Sequence, residues 1–212
     1  VNHADPLAAL AVGEQPEPQA RPFWSTVSVR AVTVNHHDVW SLQGVGLAAE
    51  QTPMILGTDA VGILDEDIPG KHGLKAGSEV VLYTFVGTDG AGVAPGERRT
   101  ILSEKYPGTM AEKTSVPSAN VFAKPASLTT AEAAALGTSW LTAYSLLFDA
   151  AGIKPGDSVL IQGAGGGVST AAIQLAHAAG DQAQHRHQRT GGVADGRGNG
   201  QLDIPQADVP HG

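Results

Sequence analysis

Residues 158–180 read SVLIQGAGGGVSTAAIQLAHAAG. SVLIQ is a short apolar run suited to a buried strand, GAGGGVS is a turn of small residues, and TAAIQLAHAA is rich in helix formers. Strand, glycine turn and helix in that order are the context a dinucleotide fingerprint requires. Small residues let the backbone approach a pyrophosphate, and the free N–H groups at a helix start attract its charge. Gly163, Ala164, Gly165, Gly166, Gly167, Val168 and Ser169 are therefore the candidate cofactor-binding residues. Val168, Ala172, Leu175 and Ala179 share one helical face, which predicts packing on the sheet. A glycine run alone is a weak signal; the flanking strand and helix make this one specific.

Upstream of the strand, Ser127–Thr130 and the Ala-rich run after it predict an N-capped helix. TSWLTAYSLLFDAA (138–151) predicts a second helix and KPGD (154–157) a turn. An α/β layer thus begins near residue 127. From Pro6 to about Pro125 the runs are short and β-like, as in LAALAV (7–12) and WSTVSVRAVTV (24–34). In the latter, Val27, Val29 and Ala31 alternate against Ser28 and Arg30, the mark of a half-buried strand. Pro and Gly punctuate often, in EQPEPQARP, LDEDIPGKHG, GTDGAGVAPGE and YPGTM, as a loop-rich β domain requires. The expected class is α/β with a β-rich domain: residues 1–126 form the β domain, 127–180 open a doubly wound layer, and 181–212 are an atypical tail.

Thirteen Lys plus Arg against twenty-one Asp plus Glu give a net charge of −8. With no basic run, the footprint of a nucleic-acid binder is missing. Apolar residues make up 42% of the chain, enough for a core. There is no apolar run of about eighteen residues and no charged-then-apolar leader, so a cytoplasmic protein without a membrane partner is expected. The chain has no cysteine, which excludes disulfides, thiol nucleophiles and Cys-ligated zinc.

GAGGGVSTAAIQLAHAAG, together with LGTSWLTAYSLL (136–147), VNHHDVW (34–40) and ILGTDAVG (55–62), resembles the medium-chain dehydrogenase/reductase family. The likeness is to its zinc-independent, quinone-oxidoreductase-like branch, and it runs from about Asp5 to Gly180. It implies a GroES-like β domain followed by an incomplete Rossmann domain, with substrate held in the cleft between them. It further implies NADP or NAD as cofactor, NADP being favoured, with Thr142 beside the nicotinamide, and it allows a homodimer. The family's fingerprint glycines fall here on Ala164, Gly166 and Ser169, so two of the three are replaced by small residues that still permit close packing.

Zinc-containing members of that family carry their catalytic ligands at the positions of Asn35, Thr58 and Thr138. An amide and two hydroxyls are poor partners for zinc, which takes thiolate, imidazole or carboxylate. The lobe that holds four cysteines in structural-zinc members matches residues 85–106 and has none; neither zinc site is expected. His36 and His37, read as neighbours on an extended segment, point to opposite sides and cannot share one ion. The alternatives for them are a structural contact and surface position, or a place with Asp38 in the cleft as proton donor or substrate positioner. Asp59 reads as an acceptor for loop backbone.

Loss of zinc removes the roughly 12 kcal/mol of acidification that the metal gives a bound water. Oxidising a simple alcohol then becomes difficult, whereas a quinone or conjugated carbonyl accepts hydride with hydrogen-bond polarisation alone. Asn35 and Thr138 are the candidate polarising groups, and Trp40, Tyr83 and Trp140 the candidate apolar wall. The expected function is NAD(P)H-dependent hydride transfer to a small quinone, enone or other carbonyl. The rival is an inactive remnant, because the 32 residues after Gly180 contain only four Val, Leu or Ile, with six Gly and five Gln. Such composition predicts no second Rossmann strand and a disordered tail. HRHQR, written in GC-rich codons and shifted by one base, reads like the end of the missing strand, so a truncation or frameshift near 181–184 is expected; sequencing the gene there decides it.

Overall fold

The computed structural model describes residues 1–71, 73–87 and 99–180, and the backbone of 182–186. β1 (Trp24–Thr33) is the long strand of the first domain. Val27 is buried and Arg30 exposed, as the alternation predicts, and a register shift between Val29 and Ala31 weakens the pattern toward the strand's end. Then follow α1 (His36–Gln43), β2 (Asp59–Leu64), β3 (Glu79–Leu82), β4 (Phe85–Val86), β5 (Thr100–Ile101), β6 (Lys113–Pro117) and β7 (Val121–Ala123). Five strands pair antiparallel in the order β6-β1-β2-β3-β7, while β4 and β5 pair apart from them. This sheet curls over a core that includes Val27, Leu64, Val80, Leu82, Leu102 and Val116. Each buried leucine contributes about 1.5–3 kcal/mol.

The predicted strand at LAALAV is instead a 3-10 turn over Pro6–Ala9. Pro6 presets a helical φ, and the Asp5 side chain accepts the Ala8 N–H at 3.3 Å.

α2 (Thr130–Ala134) starts at Thr129, which exchanges hydrogen bonds with Glu132. That capping box holds the Glu132 carboxyl below its ordinary pKa, through the hydrogen bonds from Thr129. The two predicted helices join into one run of changing pitch: π turns over Leu136–Trp140, then α3 (Leu141–Tyr144), then π turns over Ser145–Ala150.

β8 (Ser158–Gln162) leads through the glycine turn into α4 (Gly167–Ala178), and β9 (Gln182–Arg186) returns parallel to β8. A strand therefore forms where composition predicts none. Its register, Ser158 opposite Gln182 and Gln162 opposite Arg186, is set by main-chain pairing, which needs no apolar run. A second core joins Ala143, Leu147 and Ile161 to Ala171, Ala172 and Ala176 of α4. Of the predicted face, Ala172 is buried and Val168, Leu175 and Ala179 are half-buried. The remainder of the expected tail, 187–212, and residues 88–98 of the lobe lie outside the described residues. No helix among the described residues is long and apolar enough to cross a membrane.

Candidate active site

Asn35 ends the extended backbone after β1 and caps α1. Its N–H donates to Asp38 Oδ2 at 2.7 Å, and Asp38 Oδ1 accepts the Gly57 N–H at 3.1 Å. Asp38, expected at the cleft, is instead buried, with both oxygens committed to backbone, and fastens the start of α1 to the segment entering β2. The same cap makes 36–37 helical rather than extended. His36 lies exposed with its ring 6.1 Å from that of Trp40, its neighbour one turn on. His37 places Nε2 3.2 Å from Glu104 Oε1 and Nδ1 3.5 Å from Ser103 Oγ. Among the described residues, no group of three His, Cys, Asp or Glu is arranged to hold a metal ion.

Asn35, Thr58 and Thr138 do converge, and the carboxylate of Asp59 lies at their centre. Asp59 Oδ2 accepts from Thr33 Oγ1 at 2.6 Å and from Asn35 Nδ2 at 2.9 Å. Asp59 Oδ1 accepts from Thr138 Oγ1 at 2.6 Å. Thr58 Oγ1 completes the cluster, 3.0 Å from Thr138 Oγ1 and accepting from Asn35 Nδ2 at 3.1 Å. Thr58 and Asp59 have no exposed surface, while Asn35 and Thr138 are half-buried and form its outer edge. Burial pushes the Asp59 carboxyl above the usual carboxylate range, against the pull of the Thr138, Thr33 and Asn35 hydrogen bonds; the charge of Asp38 pushes the same way as burial.

The helical run meets β2 this closely because residue 137 is glycine. A Cβ there would lie 2.6 Å from Asp59 Oδ1 and 2.9 Å from the Leu82 carbonyl. Thr138 itself sits in a π turn, an irregularity often found at functional sites. Sequence reasoning gave Asp59 a loop-backbone role and missed it as the centre of the cluster; its position directly after Thr58 was the available signal.

The glycine turn lies against the helical run that carries Thr138. A Cβ at Gly167 would come within 2.8 Å of Ser139 Oγ, so the first turn of α4 abuts the residue after Thr138. Gly163 has a φ of +69°, and Gly166 caps α4 without a side-chain acceptor. Ser169 Oγ donates back to the Gln162 carbonyl at 2.9 Å and Thr170 Oγ1 to that of Ala164 at 3.1 Å. These bonds tighten the turn and leave the helix N-terminus uncapped, which fits a phosphate group. Ala164 is half-buried, Gly165 exposed and Val168 half-buried at the same turn, and Thr142 is half-buried on α3. Trp140 packs on the second core, Tyr83 pairs with Phe85, and Trp40 is half-exposed on α1. A cavity of about 1340 Å³ lies elsewhere, under the N-terminal segment and lined by Leu10, Leu47, Met54 and Met110; it shares no residue with the polar cluster.

A GroES-like β domain running into a parallel strand–glycine-turn–helix–strand unit, with a polar cluster where the two meet, defines a dehydrogenase/reductase type of chain. Residues 21–126, half of the chain, match the alcohol dehydrogenase GroES-like domain, and the chain belongs to this family of medium-chain dehydrogenases/reductases. It is 33% identical over 158 residues to the synaptic vesicle membrane protein VAT-1 homolog of Rattus norvegicus, covering 74% of this chain and 34% of that one. It is 32% identical over 201 residues to crotonyl-CoA reductase of Streptomyces avermitilis, covering 83% and 45%. Among solved structures, an NAD-dependent alcohol dehydrogenase superposes with a TM-score of 0.74 at 35% identity, over 84% of this chain and 53% of that one. The quinone oxidoreductase of Thermus thermophilus, solved also with NADPH, gives 0.63 at 28%, over 89% and 52%. The chain thus spans less than half the length of these curated relatives.

Proposed function

We propose that this chain carries the substrate-side site and the opening of the nucleotide site of an NAD(P)H-dependent reductase acting, without catalytic zinc, on a conjugated carbonyl or quinone. The carrying observation is the close approach of Gly167 to Ser139, which brings the uncapped start of α4 to the residue that follows Thr138. Gly163–Ser169 would hold the pyrophosphate against the N-terminus of α4, and Thr142 would lie toward the nicotinamide. When bound, a reduced nicotinamide supplies a hydride. Thr138, on the outer edge of the cluster, would orient the substrate carbonyl and stabilise negative charge on its oxygen, while Asn35, whose amide donates to Thr58 and Asp59, would hold the cluster in place.

The donor set argues against zinc. Asn35, Thr58 and Thr138 offer an amide and two hydroxyls, already bonded to one another and to Asp59, and none is a ligand zinc favours. Crotonyl-CoA reductase by its name acts on a conjugated acyl group, and the Thermus structure names a quinone; both support an electron-poor acceptor, while the solved relatives name NADPH in one case and NAD in another.

Fluorescence titration with NADPH and NADH, followed by turnover with a crotonyl thioester and a benzoquinone, tests this. Saturable binding of at least one of the two nucleotides, with reduction of either acceptor, is expected. Absence of saturable binding by either nucleotide would overturn it and favour an inactive remnant.

A further inference from the structure

The two oxygens of Asp59 are unequally placed. Oδ2 is occupied by Thr33 and Asn35, whereas the partner of Oδ1 is the Thr138 hydroxyl, at 2.6 Å. Asp59 has no exposed surface and Thr138 is half-buried, so of the two residues Thr138 is the outer one. We propose that Asp59 is the proton store of the site and delivers its proton to the reduced substrate through Thr138. The inference rests on the reductase reading above.

The direction of the hydrogen bonds carries it. With Asp59 ionised, the Thr138 proton is committed inward to Oδ1, and the Thr58 hydroxyl, 3.0 Å away, donates to Thr138 Oγ1. Neither hydroxyl then offers a proton outward. With Asp59 protonated, Oδ1–H donates to Thr138 Oγ1, whose second lone pair still accepts from Thr58, and the Thr138 proton is free to turn to the cleft. One proton on a buried carboxyl thus reverses the donor at the surface.

Burial favours the neutral form of Asp59. The elements packed around it contribute Thr33 from β1, Asn35 and Asp38 from the start of α1, and Thr138 from the helical run; the charge among these is that of Asp38, which further disfavours a second anion. As the substrate takes up hydride from a reduced nicotinamide, the electron pair displaced onto its carbonyl oxygen captures the Thr138 proton. The Asp59 O–H bond breaks toward Thr138 Oγ1 in the same movement. Asp59 is left as carboxylate and is reprotonated from solvent; the hydride and its electron pair would be supplied by a bound reduced nicotinamide. Asp59 touches no substrate and acts through Thr138 as a positioning residue and proton source.

Infrared difference titration of the cofactor-free protein reads the C=O stretch of protonated carboxyl groups. The expected result is a band that titrates above the surface carboxylates, is missing from Asp59→Asn, and changes frequency in Thr138→Val, where the protonated Oδ1 loses the acceptor for its hydrogen bond. That second variant assigns the band even if Asp59→Asn fails to fold. In turnover, kcat falls as pH rises through the same titration. Asp59→Asn removes that limb and lowers kcat about 10²-fold, with NADPH affinity unchanged, and Thr138→Ser restores what Thr138→Val loses. A wild type without such a band, or an alkaline limb that survives in Asp59→Asn, overturns the proton store. Loss of nucleotide binding would instead overturn the reductase reading, and the infrared result would still decide whether Asp59 holds a proton.

Discussion

Thr138 Oγ1 donates to Asp59 Oδ1 at 2.6 Å across 79 residues of chain, joining the helical run that opens the nucleotide layer to the first residue of β2. Together with the Thr58–Thr138 bond at 3.0 Å, this link couples the two parts of the molecule at the site proposed for chemistry. It exists because Gly137 lets the helix backbone come down onto Asp59 and Leu82.

Gly137→Ala inserts a methyl group 2.6 Å from Asp59 Oδ1. Both neighbours are fixed, one by three hydrogen bonds and one as strand backbone, so the helix must move instead. A loss of about 1–3 kcal/mol is expected in urea unfolding, with reductase activity falling further than stability does. Wild-type activity in this variant would show that the close approach is dispensable.

Asp59 also gives stability a pH dependence of definite sign. Burial raises its pKa in the folded state, so its contribution is fully present below the unfolded-state pKa and is lost as pH rises through the folded-state value. The stability of the wild type relative to Asp59→Asn therefore declines with rising pH. Urea unfolding of both proteins at a series of pH values measures this, and an advantage that grows with pH contradicts it.

Gly166→Asp separates helix stability from nucleotide binding. Gly166 has the extended backbone of an N-cap (φ −81°, ψ 152°) and α4 has no side-chain cap. A carboxylate there caps the helix, adding a few tenths of a kcal/mol, yet it competes with phosphate for the same N–H groups. Thermal unfolding should be unchanged or raised while NADPH affinity, read by fluorescence, falls at least about tenfold, or 1.4 kcal/mol. Unchanged affinity would place the nucleotide away from α4.

Elemental analysis of the purified protein should find well under one zinc per chain, and treatment with EDTA should leave reduction of the conjugated acceptor unaltered. A stoichiometric zinc whose removal abolishes turnover contradicts the zinc-free reading.

Much of the fold was legible. The alternation at Val27, Ser28 and Arg30 marks β1, and SVLIQ followed by GAGGGVS marks β8 and α4. Resemblance alone singled out Asn35, Thr58 and Thr138, and the structure brings those three together. What stayed hidden depends on distant partners. Helix α1 is set by Asp38, whose oxygens bond Asn35 and Gly57, a bond the HHD sequence does not announce. β9 is held by main-chain pairing with β8, to which apolar periodicity is blind. Asp59 becomes central only when Thr33, Asn35 and Thr138 arrive around it.

The polar cluster is made of hydroxyls, one amide and one carboxylate, in a chain with no cysteine. Peroxide and alkylating reagents attack thiolates, and these groups offer them nothing to attack. A site of this composition should keep its form amid the oxidants and electrophiles that quinones and enones generate.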